Sequence, residues 1–273
     1  MSPRVVVPVE DHETARIGIR EPSVTDDGVS RRLYFGPDYI QSEMLVDDPY
    51  ALNLAYTQKM MAALLFVPKP KHIVIVGLGG GSLTKFCHRQ LPKTRVTTIE
   101  IDARVIALAP AFEVPVDDPR LQIVHADACD WFARDDRERV DLVMLDGYTD
   151  GGIASGFGDP QFYRNIRARL RPDGLLAANI LVTPETLRQY KQTIADVFDD
   201  HLLIQRVVPD GNQVIFAFNQ WSSTPDWAAI GREAKKLALR HGLDFPAFAR
   251  NLRRAHERRA QDQQLADDNL ALI

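Results

Sequence analysis

Short apolar runs alternate with segments of helical periodicity through the middle of the chain. Apolar, β-branched runs of this length are typical of strands that are buried in a parallel sheet. Regular alternation of such strands with helices predicts a doubly wound, mostly parallel α/β sheet with right-handed crossovers. The predicted strands cover residues 72–76, 95–98, 121–124, 140–145, 175–180, 202–208 and 213–218.

The last two predicted strands differ from the others in how they are connected. Pro209-Asp210-Gly211-Asn212 joins them, and a short turn rich in Asp and Gly predicts an antiparallel hairpin. A seven-stranded sheet that ends in such a hairpin is typical of S-adenosylmethionine-dependent enzymes rather than nicotinamide-dependent ones. We therefore expect a Rossmann-like fold of the methyltransferase type.

Additional segments flank this sheet. Aromatic and aliphatic residues alternate with polar ones over 31–44, across a Gly-Pro break, which predicts a β-hairpin. A helix over 50–66 is expected next, with Asp48 and Pro49 at its start. Residues before about 29 fit either a short strand or an arm. The expected domains are a hairpin region with its connecting helix (1–66), a Rossmann-like catalytic domain (67–220) and a helical C-terminal extension (221–273) with caps at Thr224-Pro225 and Asp244.

A glycine turn follows the first predicted strand. Gly77 ends the strand, and the glycines at 79–81 allow backbone amides to approach a ligand closely. Ser82 is expected to cap the helix that follows. The second strand leads to Glu100, about 20 residues beyond the turn, where dinucleotide-type folds place a carboxylate for ribose hydroxyls. This spacing predicts a nucleoside ligand.

Acidic residues also follow the third and fourth predicted strands. Ligands of such sheets bind beyond the carboxyl ends of the strands, so Asp127 and Asp146 are expected in the same crevice as Gly77 and Glu100. Asp127 could instead only cap the helix after it. The glycine-rich loop 147–158 is long enough to act as a mobile lid, with a surface loop as the alternative.

Composition narrows the class of protein. The formal net charge is -4, so neither nucleic acid nor an anionic membrane is the expected partner. The arginines near 250–259 are interpreted as a solvated helix face. Cys87 and Cys129 suggest neither a disulfide framework nor a metal site, and no apolar run approaches the roughly 18 residues of a membrane span. We expect a cytoplasmic enzyme without a bound metal.

In their order, the motifs resemble those of the spermidine synthase, or polyamine aminopropyltransferase, family over roughly residues 31–219. They include the hairpin near Gln41, the helix with Tyr56, and the segments VIVGLGGGSL, TTIEID, DPRLQIVHADACDWF and DLVMLDGYTD. The resemblance implies transfer of an aminopropyl group from decarboxylated S-adenosylmethionine to an amine such as putrescine, with release of methylthioadenosine. The donor is then a co-substrate, no cofactor is bound permanently, and a homodimer is expected because the family is commonly dimeric.

The resemblance assigns one group of residues to the nucleoside. Glu100 resembles the acid that holds the ribose hydroxyls, and Asp127 with the backbone of Ala128 resembles the pair that reads the adenine amino group. Gln41 is similar to a glutamine that reaches the nucleoside from the hairpin. The whole expected set is Gln41, Gly77, Gly79, Glu100, Ile101, Asp127 and Ala128.

A second group is assigned to the amine. Asp146 matches the first aspartate of the family's D-[ST]-x-D-P loop and is the expected catalytic base, while Tyr56, Tyr148 and Asp150 are the expected substrate contacts. The reaction is a displacement at a carbon next to a sulfonium, and it needs a neutral amine. A carboxylate attracts the protonated amine and accepts its proton.

The sequence departs from the family pattern at three places. Gly79 stands where the family turn GGGDGG has an aspartate that binds the donor amine, and Thr57 stands where His or Gln is usual. In the lid, Asp150 comes one residue late and the proline is missing. Two alternatives therefore stay open: a methyltransferase that uses intact S-adenosylmethionine, and a nucleoside-binding relative without transferase activity.

Overall fold

The computed structural model describes residues 4–6, 21–36, 40–115, 118–134, 136, 138–149, 152–153, 155–208, 211–221 and 225–270. The strands are β1 (Arg4–Val6), β2 (Ser23–Asp26), β3 (Ser30–Tyr34), β4 (Ile40–Leu45), β5 (His72–Val76), β6 (Arg95–Glu100), β7 (Leu121–His125), β8 (Val140–Leu145), β9 (Tyr148–Thr149), β10 (Gly152–Ile153), β11 (Leu170–Ile180), β12 (Leu202–Arg206) and β13 (Gln213–Phe218). The helices are α1 (Ala55–Met60), α2 (Ser82–Gln90), α3 (Ala103–Ala107), α4 (Ala128–Ala133), α5 (Pro160–Arg169), α6 (Pro184–Val197), α7 (Trp227–His241) and α8 (Phe245–Leu270), with 3₁₀ helices at Met61–Leu65, Ala109–Phe112 and Ser155–Gly158.

The central sheet has seven strands in the order β12-β13-β11-β8-β5-β6-β7. The pairs within β11-β8-β5-β6-β7 are parallel, and β13 pairs antiparallel with both β11 and β12. Both faces of β5 are covered: Ile73 and Ile75 belong to one apolar cluster, and Val74 and Val76 belong to the other. The predicted fold class and its final hairpin are confirmed.

A second, antiparallel sheet precedes the central one, with the strand order β1-β2-β3-β4. The β3-β4 pair is the hairpin predicted from the alternating pattern, and β1 and β2 extend it. Leu33 lies opposite Ser42 and Tyr34 lies opposite Ile40, so Gln41 is an extra residue on β4. An extra residue of this kind forms a β-bulge, which changes the direction of side chains.

The two C-terminal helices pack against the central domain. Phe245, Phe248 and Leu252 are buried in the same cluster as Met61 and Leu64 of the first 3₁₀ helix. Asp244 accepts from the amide of Ala247, as predicted for a cap, whereas Asp226 caps α7 and Thr224 lies outside the described residues. None of the helices in the described ranges is long and apolar enough to cross a membrane.

Several predicted boundaries are wrong, and the strand predicted to end at residue 208 ends at Arg206. The helix expected from residue 50 begins only at Ala55, because the backbone carbonyl of Asp48 closes a turn with the amide of Ala51. Gly81, in a left-handed conformation, occupies the N-cap of α2, so Ser82 is its first residue rather than its cap. The strand expected from residue 175 starts at Leu170, which already pairs with β8.

The loop expected over 147–158 contains regular structure. β9 and β10 pair antiparallel, and a 3₁₀ helix follows them. Phe157 is buried and stacks on Phe162 with ring centroids 4.7 Å apart. The end of this segment is therefore packed on α5, while Asp150 lies outside the described residues.

Candidate active site

The carboxyl ends of neighbouring strands bring the predicted residues together. The amide of Gly77 donates to Ile99 at 2.8 Å, and the amide of Asp146 donates to Val76 at 2.9 Å. A Cβ atom on Gly77 would collide with the carbonyl oxygen of Asp146, and Gly77 has a φ of 92°. The contact and the positive φ both require glycine at position 77. The contact also shows that the turn lies directly beside Asp146.

Glu100 holds the glycine turn to the end of β6. Its two carboxylate oxygens accept from the amides of Leu78 at 2.8 Å and Asp102 at 2.9 Å. The residue is 8% exposed, and burial raises the pKa of its carboxyl while the backbone hydrogen bonds oppose that change. Each oxygen of a carboxylate can accept more than one hydrogen bond, so Glu100 retains acceptor capacity for a ligand.

Ser42 of the N-terminal sheet also contacts the turn. Its hydroxyl accepts from the amide of Gly80 at 2.9 Å. A Cβ atom on Gly79 would lie 2.8 Å from the same hydroxyl oxygen, and Gly79 has a φ of 51°. A side chain at position 79 would therefore require Ser42 to move. Gln41 lies next to Ser42 on the bulge, and its predicted contact with the nucleoside stays a prediction.

Asp127 and Ala128 follow β7 at the start of α4. One carboxylate oxygen of Asp127 accepts from the amide of Cys129 at 2.7 Å, so this side chain caps the helix. The other oxygen of the exposed carboxylate is not needed for the cap, and adenine recognition stays a prediction. The ring of His125 donates to the carbonyl of Ile101 at 3.0 Å, and this bond joins the ends of β6 and β7.

Asp146 lies in a hydrogen-bonded chain. Its carboxyl accepts from the side-chain amide of Asn179 at 2.9 Å and from the hydroxyl of Tyr56. Asn212 in turn donates to the carbonyl oxygen of Asn179 at 2.9 Å. Burial raises the pKa of Asp146 to about 6, and the bonds from Asn179 and Tyr56 lower it in part. The carboxylate is thus ionised at pH 7 yet remains a usable proton acceptor.

The sequence-based prediction missed Ser42, Asn179 and Asn212. The sequence contained a signal for Asn179, which is a polar residue at the end of the apolar run in β11. Ala178 pairs with Leu145, so the residues that follow them, Asn179 and Asp146, lie close together. Ser42 and Asn212 lie on other segments, and only the three-dimensional packing brings them to the site.

Thr57, which departs from the family pattern, has a structural role, and two of the predicted substrate contacts have side chains outside the described residues. Thr57 is buried, and its hydroxyl donates to the carbonyl of Leu54 at the start of α1, so it supports the helix. The backbone of Tyr148 belongs to β9, while its side chain and all of Asp150 are outside the description. The described residues contain no group of three or more His, Cys, Asp or Glu side chains that could hold a metal ion.

The sheet order, the glycine turn and the acidic residues at the strand ends define a Rossmann-like fold of the S-adenosylmethionine type. The sequence model of the Spermine/spermidine synthase domain matches residues 53–228. The polyamine aminopropyltransferase of Chromobacterium violaceum is 31% identical over 241 residues, which are 88% of this chain and 92% of the relative. The chain belongs to the spermine/spermidine synthase family, and the predicted family is confirmed.

Solved structures show the same fold. A probable spermidine synthase from Corynebacterium glutamicum matches with a TM-score of 0.66 at 19% identity, over 85% of this chain and 91% of that chain. Human methyltransferase-like protein 13, in complex with S-adenosylhomocysteine, matches with a TM-score of 0.61 at 21% identity, over 74% of this chain and 92% of that chain. The fold is therefore shared by proteins named for aminopropyl transfer and for methyl transfer.

Proposed function

We propose that the protein is a polyamine aminopropyltransferase that uses decarboxylated S-adenosylmethionine and an amine such as putrescine, and releases methylthioadenosine. The observation that carries the proposal is the carboxyl of Asp146, which is hydrogen-bonded to Tyr56 and Asn179 and lies beside the glycine turn. A proton acceptor at the edge of a nucleoside-type turn suits a reaction between an amine and an adenosyl donor. The names of the curated relatives agree with this activity.

In the proposed reaction, ionised Asp146 attracts the protonated acceptor amine and takes a proton from it. The neutral nitrogen then attacks the aminopropyl carbon next to the sulfonium. The C–N bond forms as the C–S bond breaks, and sulfur takes the electron pair to become a neutral thioether. Alignment of the two reactants contributes on the order of 7 to 11 kcal/mol in favourable cases.

The nucleoside contacts of this proposal come from the strand ends. Glu100 accepts from the ribose hydroxyls, and Asp127 accepts from the adenine amino group. The backbone at Gly77, Gly79, Ile101 and Ala128 and the side chain of Gln41 line the nucleoside. Tyr56, Tyr148 and Asp150 contact the amine.

A second candidate activity is methyl transfer from intact S-adenosylmethionine. The observation that favours it is at Gly79, where the family pattern has an aspartate for the donor amine. Because residue 79 is glycine, no carboxylate is present at this position to repel the carboxylate of the intact donor.

Calorimetric titration with S-adenosylmethionine, its decarboxylated form and methylthioadenosine tests the proposal, with putrescine or spermidine added and the products identified. Preference for the decarboxylated donor and release of methylthioadenosine are expected. Formation of S-adenosylhomocysteine would instead identify the methyltransferase. Binding without any product would indicate a nucleoside-binding relative without transferase activity.

The proposal includes a cytoplasmic location, a homodimer and no permanently bound cofactor. Two free cysteines fit a reducing compartment. Light scattering on the purified protein tests the dimer, and a monomer at enzyme-assay concentration would contradict it.

A further inference from the structure

A cleft lies at the outer edge of the central sheet, between α6, β12 and α8. Its volume is about 740 Å³, and none of its lining residues belongs to the candidate active site. We call it the edge cleft. Its cationic lining residues are Arg188, Lys191, Arg206, Arg254, Arg258 and Arg259.

Positive charge dominates the edge cleft. Among its lining residues the one carboxylate is Asp200, and it pairs with Arg259, which also donates to the carbonyl of Leu202 at 3.2 Å. The other five cations have no ion pair with any side chain that the structure describes, a set that ends at Gln261 in α8. Burial and the nearby charges of Arg206 and Arg259 lower the pKa of Lys191. These cations repel one another, although the net charge of the whole chain is -4.

The cleft also contains a buried polar side chain without a partner. Gln205 on β12 is 3% exposed, and neither its amide nitrogen nor its amide oxygen has a hydrogen-bond partner among the described residues. A buried amide without partners is costly, and such a group in a folded protein needs an explanation. Gln205 lines the edge cleft, but its amide atoms are shielded from solvent, so the side chain must rotate toward the cleft before its nitrogen can donate to a ligand there.

We propose that the edge cleft binds a small polyanion with phosphate groups, held by Arg254, Arg258 and the side-chain amide of Gln205. Planar guanidinium groups match the oxygens of phosphate and form two parallel hydrogen bonds with them. The volume of the cleft is in the range of sites for single small molecules, about 300 to 1,000 Å³, which favours a compact polyphosphate or nucleotide over an extended nucleic acid.

Calorimetric titration of the full chain with inorganic tripolyphosphate and with ATP tests this site when methylthioadenosine first saturates the proposed nucleoside site. Tripolyphosphate contains no nucleoside, so its result is independent of the proposed transferase activity. Saturable binding of at least one of them is expected. Equal affinities would indicate that the phosphates are recognised, and tighter binding of ATP would indicate a nucleotide. Absence of saturable binding, or tighter binding of an oligonucleotide than of both probes, would overturn the proposal.

Two arginine variants and one control test whether the polyanion binds in the edge cleft. Arg254→Gln and Arg258→Gln should each weaken binding about 10-fold, the loss expected for one charge-assisted hydrogen bond. Arg250→Gln is the matched control, because it removes the same charge from an exposed position of α8 outside the cleft. Equal weakening by the control would show that only general charge attracts the anion, which contradicts the site.

Gln205→Leu separates a ligand contact from a packing role. It should weaken binding of the tighter probe several-fold while the melting temperature of the free protein stays the same or rises. Unchanged affinity in this variant would contradict the contact with Gln205.

Discussion

The carboxyl of Asp146 accepts hydrogen bonds from Tyr56 and Asn179, which lower its pKa, whereas burial raises the pKa. A shallower carboxylate would be a weaker base, and a carboxyl without donors would stay protonated at a higher pH. The two effects together set a pKa of about 6, close to the optimum for a base that works near neutral pH.

Asp146→Asn should abolish aminopropyl transfer, with a loss on the order of 10²- to 10⁴-fold in kcat, because the amide cannot accept the proton. Affinity for methylthioadenosine should stay within a few-fold, since the nucleoside contacts are elsewhere. Steady-state kinetics and calorimetry measure the two quantities. Asp130→Asn, on an exposed position of α4, is the control, and wild-type turnover in Asp146→Asn would remove Asp146 from its role.

The pH dependence of kcat/KM should show a rise with a midpoint near pH 6, because the ionised form of Asp146 is the active one. Asn179→Leu removes a donor that stabilises this ionised form, so the midpoint should move to higher pH. Rate profiles of both proteins from pH 5 to about 9 check the shift. A midpoint that does not move in Asn179→Leu would argue that Asn179 has only a structural role.

Glu100→Ala should weaken nucleoside binding by about 1.5 to 3 kcal/mol, the range for a hydrogen bond to a charged group. Glu100→Gln is a useful comparison, because its one carbonyl oxygen can still accept from one of the two backbone amides. Calorimetry with methylthioadenosine gives both affinities. If Glu100→Ala binds as the wild type does, the ribose lies elsewhere.

The sequence located Gly77, Glu100 and Asp146 because each lies at the carboxyl end of a buried strand, and parallel strand ends converge. It could not locate Ser42 or Asn212, whose positions depend on how separate segments pack. Gln41 was predicted from a family pattern, but its place on a bulge follows from the pairing of β3 with β4, which no local pattern specifies.

Among the turns and helices, the glycine turn after β5 shows how neighbouring elements restrict one another. Gly79→Asp, which restores the family residue, should destabilise the protein by about 1 to 3 kcal/mol, because a side chain at a φ of 51° is strained and meets Ser42. The double variant with Ser42→Ala should recover part of this loss. Urea unfolding of both single variants and the double variant measures the coupling, and strict additivity would mean that Ser42 is not the obstacle.

The central strands were predicted well because both of their faces are buried, which leaves continuous apolar runs. The start of α1 was predicted wrongly, because Asp48 and Pro49 resemble a helix start. They form a turn instead, in which the carbonyl of Asp48 accepts from the amide of Ala51. The short β9-β10 pair was also missed, because strands of this length leave too few positions for a pattern.

For the molecule as a whole, Asp146 makes stability depend on pH. Its folded pKa of about 6 is above its ordinary value of 3.8, so the folded state holds the proton more tightly than the unfolded state. The free energy of unfolding should therefore fall as pH rises from about 4 to 6, by a contribution on the order of 1 to 3 kcal/mol.

Asp146→Asn should remove this contribution. The variant should be more stable than the wild type at pH 7, and the difference should vanish below about pH 3, where Asp146 is protonated in both states. Urea unfolding at several pH values checks both statements. A stability difference that is constant across this range would contradict the raised pKa.

The burial of Phe245, Phe248 and Leu252 against the 3₁₀ helix Met61–Leu65 matters for synthesis on the ribosome. The 3₁₀ helix leaves the ribosome early, whereas the residues of α8 that cover it emerge after every strand of the central sheet. Until then the nascent chain exposes apolar surface, which promotes aggregation and recruits chaperones. We therefore expect α8 to dock only after the strands of the central sheet have emerged.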